Sequence, residues 1–346
     1  MFDPVNTEQS RSAGFNARDL DCLVDLHLHL DGAISPESAK QLAAMQNIKI
    51  PESDEELLAL MRVKDDCSDL NDFLTKFAFP CSLLQTKGGI RQATARLLAE
   101  LQEQNVMYAE IRFAPQKSTD MGLSQEEAVE AALEGIASSA IPAGLILCCM
   151  RGNDNEEENK KTVEVAGKYL GKGVVAVDLA GAESLFPTGD FAPVFALARE
   201  KGIPITIHAG EADGPESVCK ALEMGACRIG HGVRSLEDPS LVRELADKKI
   251  PLELCPTSNV NTALCKDIAH WPFRELLSSG MVLTINTDDP SVEGTSLWEE
   301  YQKLITAFGI GEAEIKSLLT NAVNASFAED SLKKAMLDKI ERCFSK

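Results

Sequence analysis

Eight short apolar runs alternate with eight longer amphipathic ones, and this alternation constrains the fold more than any other feature of the chain. The strand-like runs cover 22–30, 107–114 (MYAEIRFA), 143–150 (AGLILCCM), 174–181 (VVAVDLAG), 204–211 (PITIHAGE), 228–233 (RIGHGV), 251–258 (PLELCPTS) and 282–290 (VLTINTDDP). Helical patterns fill the gaps at 125–139, 156–170, 191–201, 216–224, 239–248 and 273–279, and helical sequence ends the chain. Strands alternating with helices predict a parallel sheet, because each crossover needs a helix to return the chain. Eight units in roughly 300 residues predict an α/β fold of the (β/α)8 TIM barrel type. A doubly wound sheet would want a glycine-rich phosphate loop after an early strand, and neither G-x-G-x-x-G nor G-x-x-x-x-G-K-[ST] occurs. The first connection is out of proportion: helix-like runs at 36–46, 55–61, 70–79 and 90–104 precede the second strand. They read as extra helices inserted after strand 1, over about 31–106, and as a candidate lid. The chain therefore reads as one domain over 1–346, with a loose surface leader over 1–20.

In such barrels the site lies at the C-terminal strand ends. The first strand, VDLHLHLDG, carries His27 and His29 two residues apart, hence on one face, and Asp31 follows. The other ends present Arg112 and Gln116, Asp178 and Gly181, His208 and Glu211, His231, then Thr257, Ser258 and Asn259, and finally Asp288 and Asp289. Four of the five histidines fall at this one end, which points to a metal site. His27, His29, His208 and Asp288 suit one Zn²⁺, with a position left for water. Two-metal barrels bridge their ions with a carboxylated lysine or an equivalent carboxylate on strand four. VVAVDLAG has no lysine, and Asp178 reads as a support for a ligand. His231 is then free to act as general base or to stabilise charge. Glu211, beside the metal site, can donate a proton if it stays protonated. One of Asp288 and Asp289 should be a ligand and the other should face substrate. His270, next to Trp271, reads as structural.

The charge balance is acidic, 34 Lys+Arg against 54 Asp+Glu, net −20, which argues against nucleic-acid and anionic-membrane partners and for a small neutral or cationic substrate. The ten cysteines include no C-x-x-C, and Cys148 and Cys149 sit in an apolar run, so reduced, buried thiols are expected. The polar start, Met1 to Asp21, is not a signal peptide, and no run reaches ~18 apolar residues. A soluble, cytoplasmic protein is expected.

HLHLDG, DLAG, HAGE, IGHG, CPTSN and NTDDP, in this order, closely resemble the adenosine deaminase family of the metal-dependent amidohydrolases, over about 22–330. The resemblance implies one Zn²⁺ per subunit on His27, His29, His208 and Asp288. It implies that Glu211 protonates purine N1 and that His231 orients and activates the nucleophile. It further implies that Asp289 meets N7, that the Gly181 backbone donates to N3, and that Asp31 binds the ribose 5′-hydroxyl. DFLTKFAF resembles the family's helix over the purine, making Phe73, Leu74 and Phe77 an apolar gate. The implied reaction is hydrolysis of adenosine and 2′-deoxyadenosine to inosine and 2′-deoxyinosine plus ammonia, in purine salvage. Adenine, a methylated AMP or another modified adenosine is the alternative substrate. Relatives acting on adenine tend to carry Glu at the position of Asp31, and the shorter Asp leaves room for a ribose. Two departures bear on substrate preference: Trp271 separates His270 from Pro272, and Ala182 stands where a carboxylate is common after DLAG. A catalytically dead nucleoside-binding barrel would have lost a ligand or Glu211, and none is missing.

Overall fold

β1 (Leu23–His29), β2 (Val106–Phe113), β3 (Ala143–Met150) and β4 (Val174–Ala180) pair in chain order as a parallel sheet. β5 (Thr206–Ala209), β6 (Arg228–His231), β7 (Pro251–Leu254) and β8 (Val282–Ile285) form a second. This computed structural model describes residues 15–64 and 67–345. Both seams between the sheets are bridged. At one, Val177 pairs with Ile205 and its N–H donates to the Pro204 carbonyl at 3.0 Å. At the other, the His29 N–H donates to the Asp288 carbonyl and the Asp288 N–H to the His27 carbonyl, both at 2.8 Å. This last exchange sets the first and last strands' site residues side by side.

The insertion after β1 comprises α1 (Pro36–Gln46), α2 (Asp54–Met61), α3 (Leu70–Leu74), α4 (Ala78–Ser82) and α5 (Lys87–Glu103). The crossovers carry α6 (Gln125–Ala137), α7 (Glu156–Tyr169), α8 (Ala192–Glu200), α9 (Pro215–Glu223), α10 (Pro239–Lys248), α11 (Pro256–Asn261) and α12 (Phe273–Ser278). After β8 come α13 (Pro290–Glu293), α14 (Leu297–Phe308), α15 (Glu312–Ala325) and α16 (Asp330–Cys343). Local chemistry starts many of them. Ser35, Ser53, Thr86 and Ser124 cap helices through their hydroxyls, Ser124 with Glu127 as a reciprocal box. Pro215, Pro239, Pro256 and Pro290 open helices where a missing N–H costs nothing. The strands are buried on both faces: Leu23, Val24, Leu26 and Leu28 are all inaccessible, as are Leu145, Ile146 and Leu147.

Several expectations need correction. The run at 70–79 is two short helices joined by a 3-10 turn, Thr75–Phe77, rather than one helix. PTS does not prolong the seventh strand, and the eighth ends at Ile285, short of the expected 282–290 run. Pro256 cannot donate to a ladder and instead opens α11, whose Thr257 N–H the buried Glu300 carboxylate accepts at 2.9 Å. Residues 15–20 are not a loose leader: Ala17 and Leu20 are buried, and the Ala17 N–H donates to Gln302 Oε1 at 3.1 Å. The leader's first fourteen residues lie outside the described residues. None of the cysteines is paired, but only Cys22, Cys148, Cys149 and Cys255 are buried, and Cys227 is exposed. Among the described residues no helix is long and apolar enough to cross a membrane.

Candidate active site

The site begins below its visible floor, with charges that orient imidazoles. Arg112, fully buried on β2, donates to Asp178 Oδ2 at 3.0 Å and to Glu253 Oε2 at 2.8 Å. Asp178 in turn lies 2.9 Å from His208 Nδ1, and Glu253 lies 2.8 Å from His27 Nδ1. Burial opposes charge on Asp178, but His208 and Arg112 outweigh it and hold its carboxyl well below the usual range. Burial likewise opposes charge on Glu253, and Arg112 and Arg228 overcome it. Two ionised carboxylates therefore accept the Nδ1 protons of His27 and His208, which turns both Nε2 lone pairs inward.

Those lone pairs meet. His27 Nε2 and His208 Nε2 are 2.9 Å apart, and His29 Nε2 is 3.1 Å from His208 Nε2. Asp288 Oδ1 lies 3.2 Å from His27 Nε2 and 3.3 Å from His29 Nε2. With the protons on Nδ1, the Nε2 lone pairs of His27 and His208 converge on one point, where a cation would hold them; burial and Arg112 oppose charge on His27, but Asp288 and Glu253 outweigh them and raise it above the ordinary imidazole range. Zn–N bonds of about 2.0–2.1 Å place tetrahedral ligand atoms roughly 3.3 Å apart, near the spacings seen here. Burial also pulls His29 and His208 below the ordinary imidazole range, favouring the neutral form that binds metal. The donor set thus fits a divalent metal. His231 also brings a nitrogen within 4.8 Å of donor atoms from His27, His208 and Asp288.

Two of these residues sit in backbone conformations that side chains rarely adopt. His231 and Asp288 both have φ 59°. His231 ends β6 in this left-handed turn and Asp288 lies three residues past β8, and His231 Nε2 stands 3.6 Å from both Asp288 Oδ2 and Glu211 Oε2. The Asn259 side-chain amide holds His231 Nδ1 from behind at 3.2 Å. Glu211 is buried and accepts from the Thr262 hydroxyl at 3.3 Å. Burial, then the negative charges of Asp288 and Glu183, raise the Glu211 carboxyl to about 8.

These groups face a cavity of about 480 Å³. His29, His208, Glu211, His231, Asp288 and Asp289 line its polar side, with Asp31 and Gly181 on the wall. Phe73, Leu74 and Phe77 cover it from the insertion, and Phe73 packs with Leu70 against Val292 after β8. His27 lies beneath, fully buried. Ser258 reaches the cavity, but Thr257, Asn259, Arg112 and Asp178 do not line it, and Gln116 turns away to Asn159 Oδ1 at 2.7 Å. His270 stays on the surface, paired with Asp267. Asp289 is buried with Oδ1 unpartnered, and burial plus the Asp288 charge raise its carboxyl well above the usual range. Gly32 is needed for that approach: a Cβ there would lie 1.6 Å from Asp289 Oδ1.

Sequence reasoning missed Glu253 and Glu183. Glu183 accepts the N–H groups of Gly210, Glu211, Ala212 and Asp213 at 2.7–3.1 Å, and the Ser217 hydroxyl as well. The signal was present in DLAGAE: the carboxylate missing at Ala182 arrives one residue later.

Buried imidazoles and a carboxylate converging at one end of parallel strands, beneath a cavity lined by a glutamic acid whose carboxyl burial raises, define a metal-dependent hydrolase. The family model for adenosine deaminase matches residues 22–343, and the chain belongs to that family. It is accordingly an enzyme, a hydrolytic deaminase. Adenosine deaminase of Haemophilus ducreyi is 46% identical over 92% of this chain and 96% of its own length. That of Enterococcus faecalis is 37% identical over 93% and 96%. Among solved structures, an adenine deaminase from Arthrobacter aurescens is 28% identical at TM-score 0.85, covering 93% of this chain and 98% of that one. An N6-mAMP deaminase from Arabidopsis is 26% identical at TM-score 0.83, covering 94% and 99%. A Burkholderia amidohydrolase with bound Zn, 22% identical at TM-score 0.84 over 98% and 95%, shares the fold.

Proposed function

We propose that this chain is a cytoplasmic enzyme of purine salvage that hydrolyses adenosine and 2′-deoxyadenosine to inosine and 2′-deoxyinosine plus ammonia. One Zn²⁺ per subunit is held by His27, His29, His208 and Asp288. The observation that carries this reading is the convergence of three Nε2 atoms and Asp288 Oδ1, at 2.9–3.3 Å, beside the buried Glu211, whose carboxyl burial raises. His29 rather than His231 completes the set, because its Nε2 lies closer to Asp288 (3.3 against 3.6 Å). The eight strands and their bridged seams support one closed (β/α)8 barrel domain over 1–346, with the insertion at about 31–106 as its lid. Unpaired cysteines throughout suit a reducing compartment.

When bound, the metal lowers the pKa of water toward about 7 and so supplies a nucleophile at neutral pH. Glu211 hands its proton to purine N1, which draws electron density from the ring and makes C6 electrophilic. His231 Nε2, facing Asp288 and Glu211, orients the attacking oxygen and takes up its charge. Asp289, kept neutral by burial, donates to N7, and the Gly181 backbone N–H donates to N3. Asp31 accepts from the ribose 5′-hydroxyl. Phe73, Leu74 and Phe77 cover the base and exclude water from the transfer.

The relatives' own substrates set the comparison. Adenosine, 2′-deoxyadenosine, adenine and N6-methyl-AMP are assayed in parallel by ultraviolet absorbance, with chelation and zinc reloading. Conversion of the two nucleosides ahead of adenine and the nucleotide, lost on chelation and restored by zinc, supports the proposal. Preference for adenine or N6-methyl-AMP transfers the chemistry to that substrate. Bound metal with no conversion of any of them overturns it and leaves the nucleoside-binding barrel.

A further inference from the structure

One cavity-lining side chain has no part in the mechanism above. Cys81, on α4, points its Sγ at Asp31 Oδ2 from 3.5 Å, within reach of an S–H···O bond. The thiol is a donor and not a nucleophile. Burial, then the Asp31 charge, push it far above the ordinary thiol range, so the proton stays on sulfur. The other carboxylate oxygen, Asp31 Oδ1, is buried and has no partner. One oxygen is therefore occupied by the protein, and the other is left to a ligand. Asp31 follows β1, whereas Cys81 belongs to the insertion that also carries Phe73, Leu74 and Phe77. An aspartate χ2 torsion is soft, so without a neighbour the two oxygens exchange freely. A donor on one of them selects a single orientation.

We propose that Cys81 is a positioning residue for Asp31: by donating to Oδ2 it presents Oδ1 to the cavity as the acceptor for one sugar hydroxyl, which makes nucleoside selection a joint property of the β1 end and the insertion. This rests on the nucleoside reading above. It assigns Cys81 an effect on binding of the sugar and none on the chemistry at C6. Serine keeps a donor at this position, whereas alanine removes it.

The test is steady-state kinetics of the zinc-loaded wild type, Cys81→Ala, Cys81→Ser and Asp31→Ala with adenosine and 5′-deoxyadenosine, which lacks the hydroxyl. Cys81→Ala is expected to raise KM for adenosine roughly threefold to tenfold, the span of one modest hydrogen bond, with kcat little changed. KM for 5′-deoxyadenosine should stay put, and Cys81→Ser should recover most of the loss. Equal KM shifts for both substrates, a fall in kcat, or no recovery with serine overturns the role of Cys81. If Asp31→Ala separates the two substrates while Cys81→Ala does not, Cys81 alone is excluded and the nucleoside reading stands. If Asp31→Ala fails to separate them, the sugar reading itself fails, and the role of Cys81 falls with it.

Discussion

Glu253 on β7 accepts a hydrogen bond from His27 Nδ1 on β1 at 2.8 Å, with both side chains sealed from water. The same carboxylate meets Arg112 at 2.8 Å and Arg228 at 2.6 Å. One residue thus orients the imidazole proposed to bind metal and helps Asp178 and Glu110 balance two buried guanidinium groups, so it should be costly to alter on two counts. Glu253→Gln is expected to weaken zinc about 10–100-fold, measured by chelator competition, because the His27 tautomer is no longer held. Glu253→Ala should also lower stability by about 3–5 kcal/mol, the cost of leaving buried charges unpaired, measured by denaturant unfolding of the metal-free protein.

In the proposed reaction Glu211 must carry a proton to act. Glu211→Gln should retain zinc by elemental analysis and lose about 10²–10⁴-fold in kcat. The sign of the pH dependence follows from the need for the acid form: kcat/KM falls as pH rises through the Glu211 pKa. Burial is the largest cause of the raised value and Asp288 the next. A cation beside Asp288 offsets the second cause and leaves the first. The basic limb should therefore lie above the ordinary carboxylate range and no higher than about 8, and it should be missing from the residual activity of Glu211→Gln.

Glu183 holds the loop on which Glu211 rides. An amide in its place offers one acceptor oxygen and points N–H groups at N–H groups. Glu183→Gln should lower stability by about 2–4 kcal/mol, as charge-assisted hydrogen bonds are lost and donors are left unmatched. It should also cut kcat more than KM, with zinc content unchanged, in paired unfolding and kinetic measurements.

Gly32→Ala would place a methyl carbon where Asp289 Oδ1 now stands, 1.6 Å away. Asp289 must then leave its position. The expected result is a rise in KM with metal retained, and the effect should nearly vanish for 7-deazaadenosine, which has no N7 for Asp289 to meet.

Much of the site could be read from the chain because its parts are local. The two-residue spacing of His27 and His29, the β-type runs and the order of HAGE, IGHG and NTDDP depend on residue chemistry and near neighbours. The same locality explains the errors. The strand reading ran on through CPTS because Leu252, Leu254 and Cys255 continue the apolar run, although Pro256 had no ladder to join. The run at 70–79 looked like one helix because Phe73 and Phe77 keep helical spacing. The structure breaks it at the 3-10 turn Thr75–Phe77, just after the helix on which Phe73 and Leu70 pack against Val292.

By itself, then, the amino-acid sequence determined the eight-unit α/β plan, the residue types of the candidate metal site and the family to which they belong. Periodicity and short motifs are written within a few residues of one another. Only the tertiary structure decided that Glu253 serves His27, that Asp178 serves His208, that Glu183 braces the Glu211 loop and that Cys81 meets Asp31. A hydrogen bond between elements depends on which helices and strands pack together, and that information is spread over the whole core rather than held in any one stretch of chain.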